Sequence, residues 1–147
     1  MKKSRSQADR LRRSIIDKKY KTYYKEARCF YCGDPAETID HAPAISQVYA
    51  WGEDRYRNRG IGLWRVSCCH ECNNLLGDRS VSSLQKRAEY VYRELMKRYE
   101  KHINQQNWYK EDLDEMGGIL KDYIENSELV NKWIDRRLSY MEDIHQI

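Results

Sequence analysis

The stretch "CFYCGDPAETIDHAP", residues 29–43, poses the problem of this chain, and "CCHECNNLLGD", residues 68–78, answers it. In the first, a Cys-x-x-Cys pair (Cys29, Cys32) stands ahead of Asp40 and His41; in the second, another pair (Cys69, Cys72) stands directly before Asn73. A tight turn after the first cysteine of each pair brings both sulfurs to one side. Two such turns can enclose one ion while the chain between them bulges freely. Four thiolates at this spacing suit one tetrahedral zinc, and such a closed site holds structure and does no chemistry. Cys68 is the odd cysteine: substituting it for Cys69 would widen the gap from two residues to three, so it reads as packing.

At 147 residues the chain has the length of one domain, or of a small domain with helical extensions. Charged residues make up 34% and only two residues are proline, which favours helices with solvated faces over an all-β design. No apolar run approaches the length that spans a bilayer, and "MKKSRSQADRLRRS" lacks the apolar middle of a signal peptide. The expectation is a soluble, cytoplasmic protein without membrane contact, where reduced thiols make disulfides poor candidates. Twelve tyrosines and a single phenylalanine predict a thin core, because tyrosines pack by the ring and keep the hydroxyl wet or bonded. A metal staple suits such a core, since its binding energy is folding energy.

Charge divides the chain into a basic segment 1–28 (net +8), a near-neutral segment 29–99 (+1) and an acidic segment 100–147 (−5). In the first, Ala8, Leu11, Ile15, Ile16, Tyr20 and Tyr23 fall on one helical stripe expected to dock on the rest of the protein, with Ser6 and Asp9 at its start. From Arg28 to Ser67 the helical pattern stops. Only short strands fit there, near Thr38–Asp40 and Leu63–Ser67. Helical spacing returns with Leu84, Ala88, Val91, Leu95, Tyr99 and Ile103. It continues over Asn107–Asn126, then in a helix capped by Ser127 with Val130, Trp133, Ile134, Arg137, Leu138, Met141 and Ile144 on its inner face. The expected organisation is a basic helix over 1–28, a core over 29–80 and a helical region over 81–147.

The zinc would join the segment carrying Asp40 to the helix carrying Asn73. Asp and Asn oxygens are hard ligands suited to Mg²⁺ or Mn²⁺, and a histidine beside them can deprotonate water. Neighbours on a regular strand point to opposite faces, so for Asp40 and His41 to share one site the strand must twist or end there. Pro43 fits an ending.

Together "CFYC…TIDHAP…VSCCHECNNLLGD" resembles the HNH, or ββα-metal, nucleases, particularly the phage and bacterial branch that includes recombination endonuclease VII; the likeness covers residues 29–78. It implies an α+β fold with a small treble-clef, ββα-metal core. It implies that Asp40 and Asn73 hold one catalytic divalent metal, that His41 is the general base, and that phosphodiester hydrolysis leaves 5′-phosphate and 3′-hydroxyl ends. If the chain is phage-encoded, its compartment would be the bacterial host cytosol. Where many members have His, this chain has Asn73, as the endonuclease VII branch does. The family's middle Asn is replaced here by Trp64 and Arg65.

Duplex DNA would be met by Arg12, Arg13, Lys18, Lys19, Arg55, Arg57, Arg59, Arg65 and Arg79, through neutralised phosphates and released counterions. The acidic C-terminal helices would be repelled by DNA, and their apolar stripes suit packing onto the domain or a homodimer that cuts opposite strands. The alternative is a non-catalytic zinc-stapled module that binds DNA or a protein; an RNA-cleaving enzyme would share the chemistry.

Overall fold

The computed structural model describes residues 6–24, 27–77, 81, 83–103 and 118–147. Helix α1 (Gln7–Asp17) opens at Ser6, whose hydroxyl accepts the Asp9 amide at 3.1 Å. That amide belongs to the first turn and has no partner within the helix. The apolar stripe docks only in part: Ile16 packs against a small core that holds the buried Tyr20, but Leu11 and Ile15 are 63% and 48% exposed and no residue of α1 is buried. Polar side chains add to that contact. The Tyr49 hydroxyl donates to Asp9 at 2.7 Å, the Arg13 guanidinium lies over the Tyr49 ring, and Asp17 reaches His41. Tyr20 and Tyr23 lie beyond the helix end, because the chain turns after Asp17 and runs on as a strand, β1 (Lys21–Tyr24).

Strands β2 (Thr38–Ala42) and β3 (Trp64–Cys68) stand close to where short strands were expected. β3 is central, parallel to β1 and antiparallel to β2. β2 stops at Ala42, just before Pro43, which has no amide to give to the ladder. Asp40 lies opposite Val66 and His41 opposite Arg65, so regular alternation runs through both and the expected twist or ending between them is absent. Asp40 and Ala42 are buried, while Ile39 and His41 lie on the more exposed side.

Between β2 and β3, where only strands and turns were expected, the chain forms α2 (Ile45–Trp51) and α3 (Glu53–Arg57). They meet at Gly52, whose φ of +83° is a conformation that L side chains rarely adopt. Helices this short give the periodicity little length in which to register. Their Val48 and Tyr56 join Tyr20 in a small second core.

After β3 come α4 (His70–Leu76), α5 (Leu84–Arg98), α6 (Glu100–Ile103) and α7 (Gly118–His145). Ser83 caps α5, and Ala88, Val91 and Leu95 are buried as their spacing predicted. α7 is one helix where two were expected: Ser127 lies in its interior, at a cost of only tenths of a kcal/mol by propensity. The part of the expected 107–126 helix before Gly118 lies outside the described residues. The main core joins Val66, Leu76, Leu95, Ile134 and Met141 to the cysteines, so central and C-terminal segments share one interior. Ile144, expected to face inward, is 57% exposed, and the neighbouring His145 is buried in its place. No helix among the described residues is long and apolar enough to cross a membrane.

One buried ion pair ties sheet to helix. Arg87, fully buried on the stripe of α5, donates from Nη2 to Asp40 Oδ1 at 2.8 Å, from Nε to Oδ2 at 3.2 Å and from Nη1 to the Val81 carbonyl at 2.6 Å. Tyr31 donates to the same carboxylate at 2.5 Å. A charge removed from water is tolerable only when its partner and remaining donors are satisfied, as here. Asp40→Ala strands Arg87 and should cost about 3–5 kcal/mol in denaturant unfolding. His41→Ala, on the more exposed side, should cost about 1 kcal/mol or less; equal losses would show that the pair is not the tie.

Candidate metal centre and adjoining cleft

The first cysteine turn is tight: the Gly33 amide donates to the Cys29 carbonyl at 3.0 Å. Gly33 holds φ at +81°, and a Cβ there would come within 2.8 Å of the Tyr140 ring. The turn is anchored on β3 by the Phe30 amide, which donates to the Ser67 carbonyl at 2.8 Å. The second turn is the start of α4, where Cys69 is the N-cap and its sulfur accepts the Cys72 amide at 3.4 Å. A helix N-terminus favours a thiolate there.

The sulfurs of Cys29, Cys32, Cys69 and Cys72 all lie within 4.8 Å of one another and all four residues are buried. Zinc–sulfur bonds of about 2.3 Å in a tetrahedron put sulfurs about 3.8 Å apart. The Cys32–Cys69 separation is 3.7 Å, so the set fits a tetrahedral zinc. Hydrogen bonds from Cys29 and then Cys32 hold Cys69 far below the ordinary thiol value, while those with Cys29 above all push Cys32 and Cys72 far up. Four thiolates together call for a cation. Cys68 packs outside the set, 4.0 Å from the Cys29 sulfur, with its thiol directed to the Cys69 carbonyl at 3.3 Å.

Helix α7 closes over this centre. Arg137, 2% exposed, reaches the Cys32 sulfur from Nη2 at 3.4 Å and Glu71 Oε1 from Nη1 at 2.5 Å. Its charge offsets part of the excess negative charge that four thiolates and a dication carry. Burial alone would raise the Glu71 carboxyl, but hydrogen bonds from Tyr99, Arg98 and Arg137 outweigh it and hold the group below its usual range. Trp133 Nε1 donates to Asp34 at 2.8 Å, and His145 Nε2 donates to the Phe30 and Tyr31 carbonyls at 2.8 and 3.1 Å.

Beside the centre, Asp40, His41 and Asn73 line one cleft of about 410 Å³; β2 is an edge strand, so a cleft along its open edge meets Asp40 and His41 although they leave opposite faces of the strand. Successive helix residues point about 100° apart, so α4 can turn Cys72 into the core and Asn73 toward the cleft. Asp40 Oδ2 is filled by Tyr31 and Arg87, whereas Oδ1 accepts one bond and keeps a lone pair. His41 Nε2 lies 2.7 Å from Asp17 Oδ1. A carboxylate has no proton to give, so Nε2 donates and Nδ1 is left as the basic nitrogen. Asp17 is itself 3.5 Å from Arg65 Nη1, and Tyr20 sets its ring edge-on to His41 at 4.9 Å. The cleft can therefore bring a fixed imidazole, a carboxamide oxygen and one carboxylate lone pair to a small cation or a water.

The expected DNA contacts divide by their partners. Arg12, Lys18 and Arg59 are exposed with no acidic partner among the described residues. Lys19 pairs with Glu53 at 3.2 Å, Arg57 pairs with Glu53 and Asp54, and Arg55 stacks on Trp51. Arg65 is turned inward, donating to the Tyr20 carbonyl at 2.8 Å, and Arg13 lines the cleft. Arg79 lies outside the described residues. His70 meets Glu37 at 3.1 Å on the surface.

Asp17, Arg87 and His145 carry structural or site roles that the sequence reading did not give them, and Arg137 was read only as an inner-face residue. A cation on an otherwise apolar stripe was the available signal for Arg87 and Arg137. Asp17 carries none, because its partner is 24 residues away. No protein-family model, curated protein or solved structure matches this chain.

Elemental analysis should find about one zinc per chain, and Cys72→Ser should lose it together with cooperative unfolding; full occupancy in that variant would break the four-sulfur assignment. Burial pushes His145 below the ordinary imidazole value, with its two carbonyl partners pulling it partly back. The unfolded chain protonates first, so this ring stabilises above about pH 6.5 and the contribution fades as pH falls below that. His145→Gln keeps a donor and cannot titrate, so between pH 7.5 and 5.5 its Tm should fall less than that of the parent. Parallel falls would contradict the buried neutral ring.

Proposed function

We propose that this chain is a divalent-metal-dependent endonuclease of the HNH, ββα-metal type that hydrolyses phosphodiester bonds in DNA, with the four cysteines holding a structural zinc. The observation that carries this reading is the shared cleft of Asp40, His41 and Asn73 beside the four-sulfur centre. The order β2, β3, α4, with the cysteines joining the strands to the helix, supports the same conclusion.

His41 would take a proton through Nδ1 from a water attacking phosphorus, while Asp17 holds Nε2 and keeps the ring from swinging away. The new P–O bond forms as the bond to the 3′ oxygen breaks, and that oxygen takes a proton from solvent water, leaving a 5′-phosphate and a 3′-hydroxyl. A divalent cation such as Mg²⁺ or Mn²⁺ on Asp40 and Asn73, completed by water, would supply Lewis-acid stabilisation of the leaving oxygen. Arg87 and Tyr31 fix the Asp40 carboxylate so that Oδ1 has one orientation. Arg12, Lys18 and Arg59 would meet the duplex backbone, and a homodimer through α7 would present two such sites.

One observation favours the non-catalytic alternative: Arg87 neutralises Asp40 and so weakens its hold on a cation. The two readings part in a plasmid assay. With Mg²⁺ or Mn²⁺ the protein should convert supercoiled plasmid to nicked circles. His41→Ala should be slower by about 10²- to 10⁴-fold, and Asn73→Ala should shift the metal concentration needed. Asp40→Ala is the wrong control, because it removes the partner of Arg87. DNA binding without cleavage under every divalent metal would give the binding module the better case.

A further inference from the structure

Arg13 is the single Lys or Arg among the described residues lining the cleft. It arrives from α1, far from Asp40, His41 and Asn73 in sequence. Its Nε is buried and unpaired, and none of its nitrogens has a carboxylate partner among the described residues. The neighbouring cations of the basic segment differ: Arg12 and Lys18 point to solvent and Lys19 is neutralised by Glu53.

The side chain is nevertheless held in place. Its guanidinium carbon sits 5.1 Å from the centre of the Tyr49 ring, and the Tyr49 hydroxyl is tied to Asp9 at 2.7 Å. Asp9 and Arg13 lie one helical turn apart on α1, so helix, ring and guanidinium brace one another. The Asp9 carboxyl is held below its usual range, first by the Tyr49 hydrogen bond, and stays a dependable acceptor. A buried, unpaired donor on a fixed planar cation is costly unless a ligand completes it. The remaining lining is neutral or internally paired: Asp40 with Arg87, His41 with Asp17.

We infer that Arg13 is the anion-binding residue of this cleft, gripping the non-bridging oxygens of a single phosphate beside His41 and Asn73. This rests on the nuclease reading for its substrate but assigns Arg13 a place apart from the other cations. They would meet the duplex backbone, whereas Arg13 would meet the phosphate under attack. A planar fork matches two phosphate oxygens at once, and charge accumulates on those oxygens as the attacking bond forms. Its contribution therefore belongs to turnover more than to duplex affinity.

Two measurements test this. In the first, ¹⁵N-labelled wild-type protein is titrated with inorganic phosphate, and the Arg13 Nε–H and Asn73 carboxamide signals should move together and saturate. In the second, cleavage of a short duplex at saturating DNA should slow about 100-fold in Arg13→Ala, with Arg13→Lys in between. Duplex affinity in the His41→Ala background should fall less than about three-fold when Arg13 is also removed, against a clear loss of affinity for Arg12→Ala. Unmoved Arg13 signals with a normal cleavage rate in Arg13→Ala would overturn the inference and leave the nuclease reading standing. Saturable phosphate shifts in a protein that cleaves nothing would keep the anion site and remove the nuclease.

Discussion

Four sulfurs from two turns some forty residues apart meet within 4.8 Å, and the main core is arranged around that meeting. One turn hangs from the central strand and the other begins α4, so the cluster decides how helix and sheet face each other. The surrounding apolar core is thin, with cysteines among its most deeply buried members. Sulfurs this close repel as thiolates, and the protein answers with directed charge and not with bulk. Arg137 sets its guanidinium against two of them, and Glu71 orients that guanidinium while Arg98 and Tyr99 orient Glu71.

The basic N-terminal helix is held by its acids as well as by Ile16. Asp9 and Asp17 make the contacts that seat α1, against Tyr49 and His41, while Leu11 and Ile15 stay in water. A helix attached this way can leave Arg12 and Lys18 free on one side and direct Arg13 into the cleft on the other. Charge count alone would assign all of these to one surface. The tertiary arrangement separates them by whether an acid or a ring lies within reach.

Asp40 shows how one side chain can be asked to serve two ends. Its carboxylate satisfies a fully buried arginine, which stability requires, and only the outer lone pair of Oδ1 is left for a ligand. An anion fixed by a cation binds metal more weakly than a free one but is held in one orientation. Which of these effects dominates is what separates a hydrolase from a binding module on the same framework.

Residue spacing alone determined the paired cysteines, the places of two short strands, the Ser6 cap and the stripe of α5, because each is local to its own element. It also placed Asp40, His41 and Asn73 near one another through the cysteines that flank them. Only the tertiary structure decided which way those side chains turn. β2 continues through Ala42, so pleating buries Asp40 against Arg87 and leaves His41 to Asp17. The short helices α2 and α3 and the strand β1 escaped notice for the same reason. A few residues carry too little periodicity to outweigh long-range contacts, and those contacts join positions that no window along the chain holds together.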